Sequence, residues 1–412
     1  MPGRTERRVP VDANEIRAEV AAVAGDFAAD RRERQRRTAL DRADFDRLAA
    51  AGLLRAGLPA ERGGLWQDGP RSTRSICEIY RVLAQGDPSV ALVASMHPAV
   101  LAFWLATPTV PEPDTVAWAA QRDHVFGAVE GGAWFGTITS EPGSGGDVTR
   151  SRARAVRDGD VWRLSGQKHF GSGSGITSFM LTAAVPEGED RPDWFYLPVA
   201  GGDGAGVEGV TLLAPWDGHG MPATQSHAFT FDGCVAHRCA WPGHLDDLIA
   251  AAGPFFGLLF TAIVLGVVET AVETARTQLR DRAATLRPYE QVEWAQAELD
   301  AWTMAQAYEG ALAAVETGLP ARGAALRAKL AGAQLAESCL TRLCRVLGGG
   351  TFSRTSPFGH WFEDVRALGF LRPPWGLGFD ALFADTLSPT IGAPTVDSTK
   401  TGGAPSGGAP SG

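Results

Sequence analysis

The stretch FGTITSEPGSGGDV, from Phe135 to Val148, begins as a strand-like run and ends as a loop containing Gly143, Gly145 and Gly146. Glycines lack side chains, so the backbone N–H groups of such a loop can come close to an anionic or polar ligand. Taken alone, the motif fits a purely structural loop equally well. The loop is therefore a candidate ligand-binding element that needs support from other motifs.

Composition narrows the classes of protein to consider. The chain has 412 residues, 44% hydrophobic and 21% charged, which is enough for a large core divided among two or three domains. The net charge of −9 argues against nucleic acid or anionic lipid as the main partner. The basic run RRERQRR, Arg31 to Arg37, is interpreted as the solvated face of a helix, with nucleic-acid contact a remote alternative.

The five cysteines have no zinc-binding spacing with histidines, so no metal site is predicted. No secretory signal precedes them, and reduced thiols in the cytoplasm are the expected state. The uncharged stretch from Leu248 to Val268 is long enough to be a transmembrane candidate. Acidic residues flank it and an amphipathic pattern continues it, so we interpret it as a core helix and expect no membrane partner.

Hydrophobic periodicity divides the chain into three regions and a tail. Residues 1–124 predict an N-terminal helical domain, residues 125–242 a small antiparallel β domain, and residues 243–386 a C-terminal four-helix bundle. Asp158 and Gly159 predict a hairpin turn within the β domain. Residues 387–412, which end in TKTGGAPSGGAPSG with its GGAPS repeat, are predicted to be disordered. The fold class is therefore α+β, mainly α.

The candidate loop is one of four motifs that occur in a fixed order. The others are LPAERGGL before it, LSGQKHFGSGS after it, and VLGGGTFSRTSPFGHWFEDVRAL near the end. In this order they resemble the turn, the glycine loop, the strand pair and the C-terminal segment of the acyl-CoA dehydrogenase superfamily of flavoproteins. The resemblance covers roughly residues 15–386, and it implies the same three-domain fold.

The resemblance also implies a bound flavin, FAD with FMN as the alternative, and a homotetramer or homodimer. It places Thr139, Ser140, Gly145 and Gly146 against the flavin, and it puts Phe170 and Ser172 beside the isoalloxazine ring. In family members, neighbouring subunits hold the rest of FAD, and the positions that correspond here are Arg282, Gly348 and Gly349.

The departures from the family pattern concern the catalytic base. Acyl-CoA dehydrogenases remove an α-proton with a carboxylate, which follows the C-terminal motif in most members. Here Leu371, Arg372, Pro373 and Pro374 occupy that region, and the alternative position, on the first helix of the bundle, is GPFFGLLF. A shift in the alignment would leave Asp364 or Asp380 as a relocated base, although Asp364 matches a structural aspartate of the family better.

The stretch HFGSGSG resembles the strand of flavin-dependent monooxygenases of this fold. In those enzymes, hydroxyl and imidazole donors in a water-poor pocket assist the reaction of reduced flavin with oxygen. By resemblance the hydroxyl is that of Ser172 or Ser174 and the imidazole is that of His97. A hydrogen-bonded core histidine explains His97 equally well.

Four residues are candidates for substrate contact. Gln225, Ser226 and His227 lie where the family's β domain meets substrate, although a turn that packs under the flavin is equally plausible. Trp375 belongs to an aromatic-rich end that could shape a cavity or simply fill the core.

These features favour oxygenation of a small molecule or an acyl thioester by reduced flavin and O2, with electrons from a flavin reductase or an electron-transfer flavoprotein. Two alternatives stay open. One is α,β-desaturation of an acyl-CoA with a relocated base. The other is a catalytically silent flavin-fold subunit that binds a partner.

Overall fold

The computed structural model describes residues 12–199 and 207–387. Helices form the N-terminal part, as predicted. They are α1 (Ala13–Ala29), α2 (Arg31–Arg34), α3 (Arg42–Ala50), α4 (Gly69–Gly86), α5 (Pro88–Leu105) and α6 (Thr115–Glu130). Asp87 shows how the sequence fixes a boundary here, since its carboxylate accepts a hydrogen bond from Val90 N at 3.0 Å and Pro88 follows as the first residue of α5.

Seven strands form the central sheet. They are β1 (Phe135–Thr137), β2 (Arg154–Asp158), β3 (Val161–Gly171), β4 (Phe179–Pro186), β5 (Asp193–Pro198), β6 (Val210–Ala214) and β7 (His227–Arg238). The spatial order is β1-β4-β2-β3-β7-β5, and β6 pairs with β7 off this path. Strand β4 also pairs with β5, which closes the strands from β4 to β5 into a ring. Most pairs are antiparallel, whereas β1 and β2 each run parallel to β4. The Asp158–Gly159 hairpin between β2 and β3 is confirmed.

Long helices follow the sheet. They are α7 (Leu245–Arg280), α8 (Pro288–Thr317), α9 (Ala321–Leu347), α10 (Pro357–Val365), α11 (Ala367–Phe370) and α12 (Trp375–Leu387). Helix α7 packs against α4, α5, α8 and α9. Two described helices, α5 and α7, are long and apolar enough to span a membrane by length and composition. All of α5 and most of the apolar window of α7 are buried inside the protein, which is also how the core helix of a globular domain appears.

One large hydrophobic core joins the helices to the sheet. It includes Phe135, Leu181, Trp194 and Tyr196 of the strands together with side chains from α1 and α3 to α10. A second, smaller core lies within the sheet domain around Leu164, with Phe195, Phe229 and Phe231 among its members. Because the first core is shared, the helices hold the strands that line the site at a fixed position.

Helix α8 leaves an apolar face uncovered. The exposed large side chains on it are Tyr289, Val292, Leu299 and Trp302, and Phe352 between α9 and α10 is also exposed.

The predicted fold class is confirmed, and the helices and strands follow the predicted order. The boundaries between domains stay predictions, and the tail predicted from residue 387 onwards lies outside the described residues apart from Leu387.

Candidate functional site

A cavity of about 930 Å³ lies between the sheet domain and the helices, and we call it the central cavity. Its volume lies within the range of about 300–1,000 Å³ that is usual for small-molecule and cofactor pockets. On the sheet side it is lined by Thr139, Ser140, Glu141, Gly145, Gly146, Asp147, Phe170, Ser172, Thr224 and Ser226. On the helical side the lining comes from α5, α7, α9 and the segment from α10 to α12.

The glycine loop contributes its backbone to the central cavity. Gly145 and Gly146 have φ values of +64° and +81°, a region that residues with a Cβ rarely adopt. A Cβ on Gly146 would lie 2.9 Å from Cγ of Pro374, whereas no atom lies within 4 Å of the Cβ position at Gly145. The loop therefore packs tightly against the C-terminal segment at Gly146 and leaves room for a ligand at Gly145.

A buried ion pair supports this loop from below. Nζ of Lys168 donates to Oε1 of Glu141 at 2.6 Å and to Oγ of Ser151 at 3.0 Å, and Lys168 has no exposed surface. Burial alone would raise the pKa of Glu141, but the Lys168 ammonium and the hydrogen bonds from Ser151 and Arg152 outweigh it, so the pKa lies below its usual range. Glu141 is therefore an ionised structural anchor of the loop.

Strained backbone surrounds the central cavity. Among the described residues other than glycine, three have positive φ values: Phe170 at +61°, and Met221 and Gln225 at +47° each. Such conformations cost about 1–3 kcal/mol each and tend to cluster at functional sites. Phe170 is 56% exposed and lines the cavity, so its ring is available to a ligand.

Three hydroxyl groups form a chain along the sheet side. Oγ of Ser226 lies 2.8 Å from Oγ of Ser172 and 2.8 Å from Oγ1 of Thr224, and all three residues line the central cavity. Thr224 donates in turn to the carbonyl of Met221 at 2.9 Å. Hydroxyl protons can reorient along such a chain, so Ser172 can either donate a hydrogen bond to a bound ligand or accept one from it.

The two serines that the sequence proposed as alternatives have different surroundings. Ser172 lines the central cavity, whereas Ser174 is buried outside its lining and donates its hydroxyl to the carbonyl of Gly171 at 2.5 Å. The structure therefore brings Ser172 to the cavity and gives Ser174 a local structural contact.

His97 lies in the core, outside the cavity lining. Its Nε2 is 3.0 Å from the carbonyl of Leu54, and its Nδ1 accepts from the backbone N–H of Phe135 at 3.1 Å. This arrangement requires the neutral ring with the proton on Nε2. Burial lowers the pKa of His97 to about 4, and the bond to Leu54 offsets only part of that effect. The imidazole thus connects α5 to β1 and to the segment before α4.

His97 gives the protein a predictable loss of stability in weak acid. An unfolded histidine binds a proton near pH 6.5, whereas the folded one does so only near pH 4, so protonation favours unfolding between these values. The stabilisation is complete above pH 6.5 and falls as the pH drops. We expect a loss of about 2 kcal/mol from this residue between pH 7 and pH 5. Urea unfolding at both pH values should show a smaller drop in His97→Gln, and equal drops would contradict the assignment.

Of the other residues predicted from the sequence to bind substrate or cofactor, only some line the central cavity. Among the candidate substrate residues, Ser226 lines the cavity, whereas Gln225 accepts from Leu40 N at 3.1 Å, His227 accepts from Trp216 N at 2.8 Å, and Trp375 stacks on Phe379. Arg282 donates to the carbonyl of Val346 at 3.0 Å, close to Gly348 and Gly349. These last three lie outside the cavity lining.

Arg372 connects the C-terminal segment to the glycine loop. Its guanidinium donates to Oγ1 of Thr139 at 2.6 and 3.1 Å and to the carbonyl of Gly146 at 2.5 Å. Burial lowers the pKa of Arg372 to about 10, partly offset by Asp147, so it remains a cation at neutral pH. The resemblance predicts a catalytic base in this segment. Arg372, which occupies it, is a cation and cannot act as a base.

The carboxylates that line the central cavity all have partners within the described residues. Glu141 pairs with Lys168, Glu363 pairs with Arg366 at 2.6 Å, and Asp147 accepts from the backbone and hydroxyl of Thr149. The two relocated bases considered from sequence, Asp364 and Asp380, do not line the cavity. Asp364 accepts from Met221 N at 2.6 Å, and burial raises its pKa to about 7.

Lys329 is a residue that the sequence reasoning missed. It lies on α9, lines the central cavity and has no exposed surface, and its Nζ donates to the carbonyl of Pro373 at 2.6 Å. Burial lowers its pKa to about 8. A lysine among the apolar residues of a helix pattern was the available signal, because lysine is almost never fully buried without a partner. In the part of the chain that the structure describes, no cluster of side chains has the composition of a metal site.

Comparison with known proteins agrees with this architecture. The family model for the middle domain of acyl-CoA dehydrogenase matches residues 136–234, and the model for the C-terminal domain matches residues 258–372. The amino sugar nitrososynthase DnmZ of Streptomyces peucetius is 28% identical over 84% of this chain and 86% of its own length. A dibenzothiophene monooxygenase of Rhodococcus erythropolis is 26% identical over 71% of this chain and 70% of its own length.

The fold also matches a solved structure. FMN-bound TdsC from Paenibacillus sp. A11-2 superimposes with a TM-score of 0.73 and 23% identity, covering 90% of this chain and 97% of that one. The two family models together span more than half of the chain. Each of them matches residues that line the central cavity. The chain therefore belongs to the acyl-CoA dehydrogenase superfamily.

Proposed function

We propose that the protein is a flavin-dependent monooxygenase that acts on a small molecule. The observation that carries this proposal is the chemistry of the central cavity. Each carboxylate of its described lining has a partner, and Arg372 stands in the segment where dehydrogenases of the family carry their base. Dehydrogenases of the family remove the α-proton with a free carboxylate within reach of the substrate, and the described lining of this cavity offers hydroxyl donors and no unpartnered carboxylate.

The residues of the cavity fit a flavin. Phe170 presents an exposed ring to the cavity, and Gly145 leaves open space beside its backbone. Thr139 and Ser172 supply hydroxyl groups at the same wall. We assign these residues, with Ser140 and Gly146, as the part of the chain that would hold the ring system of FMN or FAD. Arg282, Gly348 and Gly349 lie outside the cavity and would hold more distant parts of the cofactor from a neighbouring subunit.

When bound, a reduced flavin supplies the two electrons with which O2 is activated for transfer of one oxygen atom to a substrate. The chain's own contribution is to donate a hydrogen bond from Ser172 Oγ, with the Ser226 and Thr224 hydroxyls behind it to reorient the proton. Apolar side chains of α5 and α7 line the opposite side of the cavity and exclude water from the reacting groups. They include Leu92, Met96, Phe103, Phe256 and Phe260.

The names of the relatives support oxygenation over desaturation, since they are nitrososynthases and monooxygenases. Desaturation of an acyl-CoA remains the second candidate through the family itself, because butyryl-CoA dehydrogenase from Megasphaera elsdenii shares the fold with a TM-score of 0.75. Electrons would come from a separate flavin reductase, with an electron-transfer flavoprotein as the partner if the second candidate holds. The exposed apolar face of α8 supports a homodimer or homotetramer.

The reaction of the reduced protein with oxygen tests the proposal. The protein is loaded with FMN or FAD, reduced without oxygen, mixed rapidly with oxygenated buffer and followed by absorbance. We expect a transient species whose spectrum differs from that of both reduced and oxidised flavin. Direct return to the oxidised spectrum, together with anaerobic bleaching by an acyl-CoA thioester, would contradict the proposal and support desaturation. Failure to bind either flavin would support a silent binding subunit.

A further inference from the structure

The helical side of the central cavity has a charge opposite to that of the whole protein. The chain has a net charge of −9, yet the helical side of the cavity carries four cations and one carboxylate. The cations are Arg322, Lys329, Arg366 and Arg372, and the carboxylate, Glu363, is paired with Arg366. A concave site lined by positive charge attracts negatively charged ligands.

Two of these cations lie on one face of α9. Arg322 and Lys329 are seven residues apart, which is about 10 Å along a helix, and Ala325 and Leu326 between them also line the cavity. Arg322 is exposed and Lys329 is fully buried. Within residues 12–199 and 207–387, neither has a carboxylate within ion-pair distance.

The surroundings of Lys329 leave its charge poorly compensated. The only acceptor that its ammonium contacts among the described residues is the neutral carbonyl of Pro373. An ammonium has three donors, and a buried charge without a counter-charge is costly. The reduced pKa of Lys329 has the same cause, namely removal from water. An anionic group in the adjacent cavity would supply both the missing charge and the missing acceptors.

We propose that the substrate carries an anionic group, a carboxylate or a phosphate, which binds to Lys329 with Arg322 at the mouth of the cavity. Its apolar body lies against the side chains of α5 and α7, of which Met96, Phe103 and Phe260 face the cavity. This inference rests on the proposed function, because it names the class of substrate for the same site. It makes Lys329 and Arg322 specificity-determining residues.

The phosphate of the flavin is the other possible source of such an anionic group, and the geometry favours the substrate. Arg372 contacts the glycine loop, through Thr139 and Gly146, where the flavin is assigned. Lys329 instead reaches the cavity from α9, on the helical side. Affinities for FMN and for riboflavin, which lacks the phosphate, distinguish the two sources. If Lys329→Met weakens FMN binding and leaves riboflavin binding unchanged, the substrate assignment is overturned.

Matched pairs of acidic and neutral compounds test the proposal directly. The pairs are octanoate and octanamide, octyl phosphate and octanol, benzoate and benzamide, and phenyl phosphate and phenol. Calorimetric titration of the FMN-saturated protein should show that at least one acid binds about tenfold more tightly than its neutral partner. The carboxylate and phosphate pairs then identify which anion is preferred. If no acid binds more tightly than its neutral partner, the inference is wrong.

Four variants assign that preference to the residues named. Lys329→Met should abolish it and Lys329→Arg should retain it, because the arginine keeps the charge. Arg322→Gln at the exposed mouth should reduce it, and this variant serves as the test if Lys329→Met does not fold. The matched control is Arg327→Gln, which removes a cation from the same helix outside the cavity, where Arg327 pairs with Asp385. An undiminished preference in Lys329→Met would overturn the proposal.

The failure of this inference can be told apart from failure of the proposed function. If the protein binds no flavin, the proposed function fails, and the same titrations on the flavin-free protein still measure whether the cavity prefers anions. If the protein binds flavin and forms the transient species with oxygen but shows no preference for acids, only the inference about substrate class fails.

Discussion

Replacing Glu141 by alanine lowers the free energy of unfolding by about 3–5 kcal/mol, because it leaves the Lys168 ammonium buried without its counter-charge. Lys168 has no exposed surface, and its remaining contacts are with the hydroxyl of Ser151 and the carbonyl of Ala183. Urea unfolding followed by circular dichroism at neutral pH measures this change. The glycine loop also loses its support, so the affinity for FMN should fall in the same variant.

An exposed ion pair provides the control for Glu141→Ala. Arg191 and Asp246 form an ion pair at 2.9 Å with side chains that are 76% and 61% exposed. Asp246→Ala should change the free energy of unfolding by less than about 1 kcal/mol, since water screens such pairs. A similar small effect in Glu141→Ala would show that the pair beneath the loop contributes little.

The second large effect is expected at Ser172. Ser172→Ala removes the hydroxyl donor at the sheet side of the central cavity and should shorten the lifetime of the species formed on mixing the reduced protein with oxygen by about 10²-fold, as for loss of one preorganised donor. Hydrogen peroxide should be released correspondingly faster. Binding of oxidised flavin should be nearly unchanged, because the other contacts of the ring remain.

Ser174 supplies a control two residues away on the same segment. Its hydroxyl donates to the carbonyl of Gly171 and lies outside the cavity lining, so Ser174→Ala should leave the lifetime close to that of the wild type. Ser172→Thr keeps a hydroxyl group, so the lifetime of the species in this variant should be close to that of the wild type. Equal lifetimes in Ser172→Ala and Ser174→Ala would remove Ser172 from its proposed role.

Local patterns in the sequence predicted the features of the site that depend on neighbours along the chain. The glycine loop and the end of β3, with Phe170 in the strand and Ser172 just after it, are continuous motifs, and the bridge between Ser140 and His169 brings both to one cavity. The order of helices and strands follows for the same reason, since hydrophobic periodicity is a local property.

Contacts between distant residues could not be predicted in this way. Glu141 and Lys168 are 27 residues apart, and each was part of a quoted motif without any sign that the two side chains meet. Whether His97 faces the cavity or the core depends on which turn of α5 contacts β1, and only the packing decides this. Lys329 was hidden for a related reason, because the direction of one residue on a helix of 27 is set by its neighbours in space.

The position of α7 has a consequence during synthesis of the chain. Helix α7 ends at Arg280, but α9, one of the helices that cover it, ends only at Leu347. At a translation rate of about 5–20 residues per second, the apolar surface that α9 covers stays open for about 3–13 seconds after α7 is complete. During that time the apolar surface of α7 is exposed in the nascent chain and is prone to aggregation. It becomes buried when α9 packs against it.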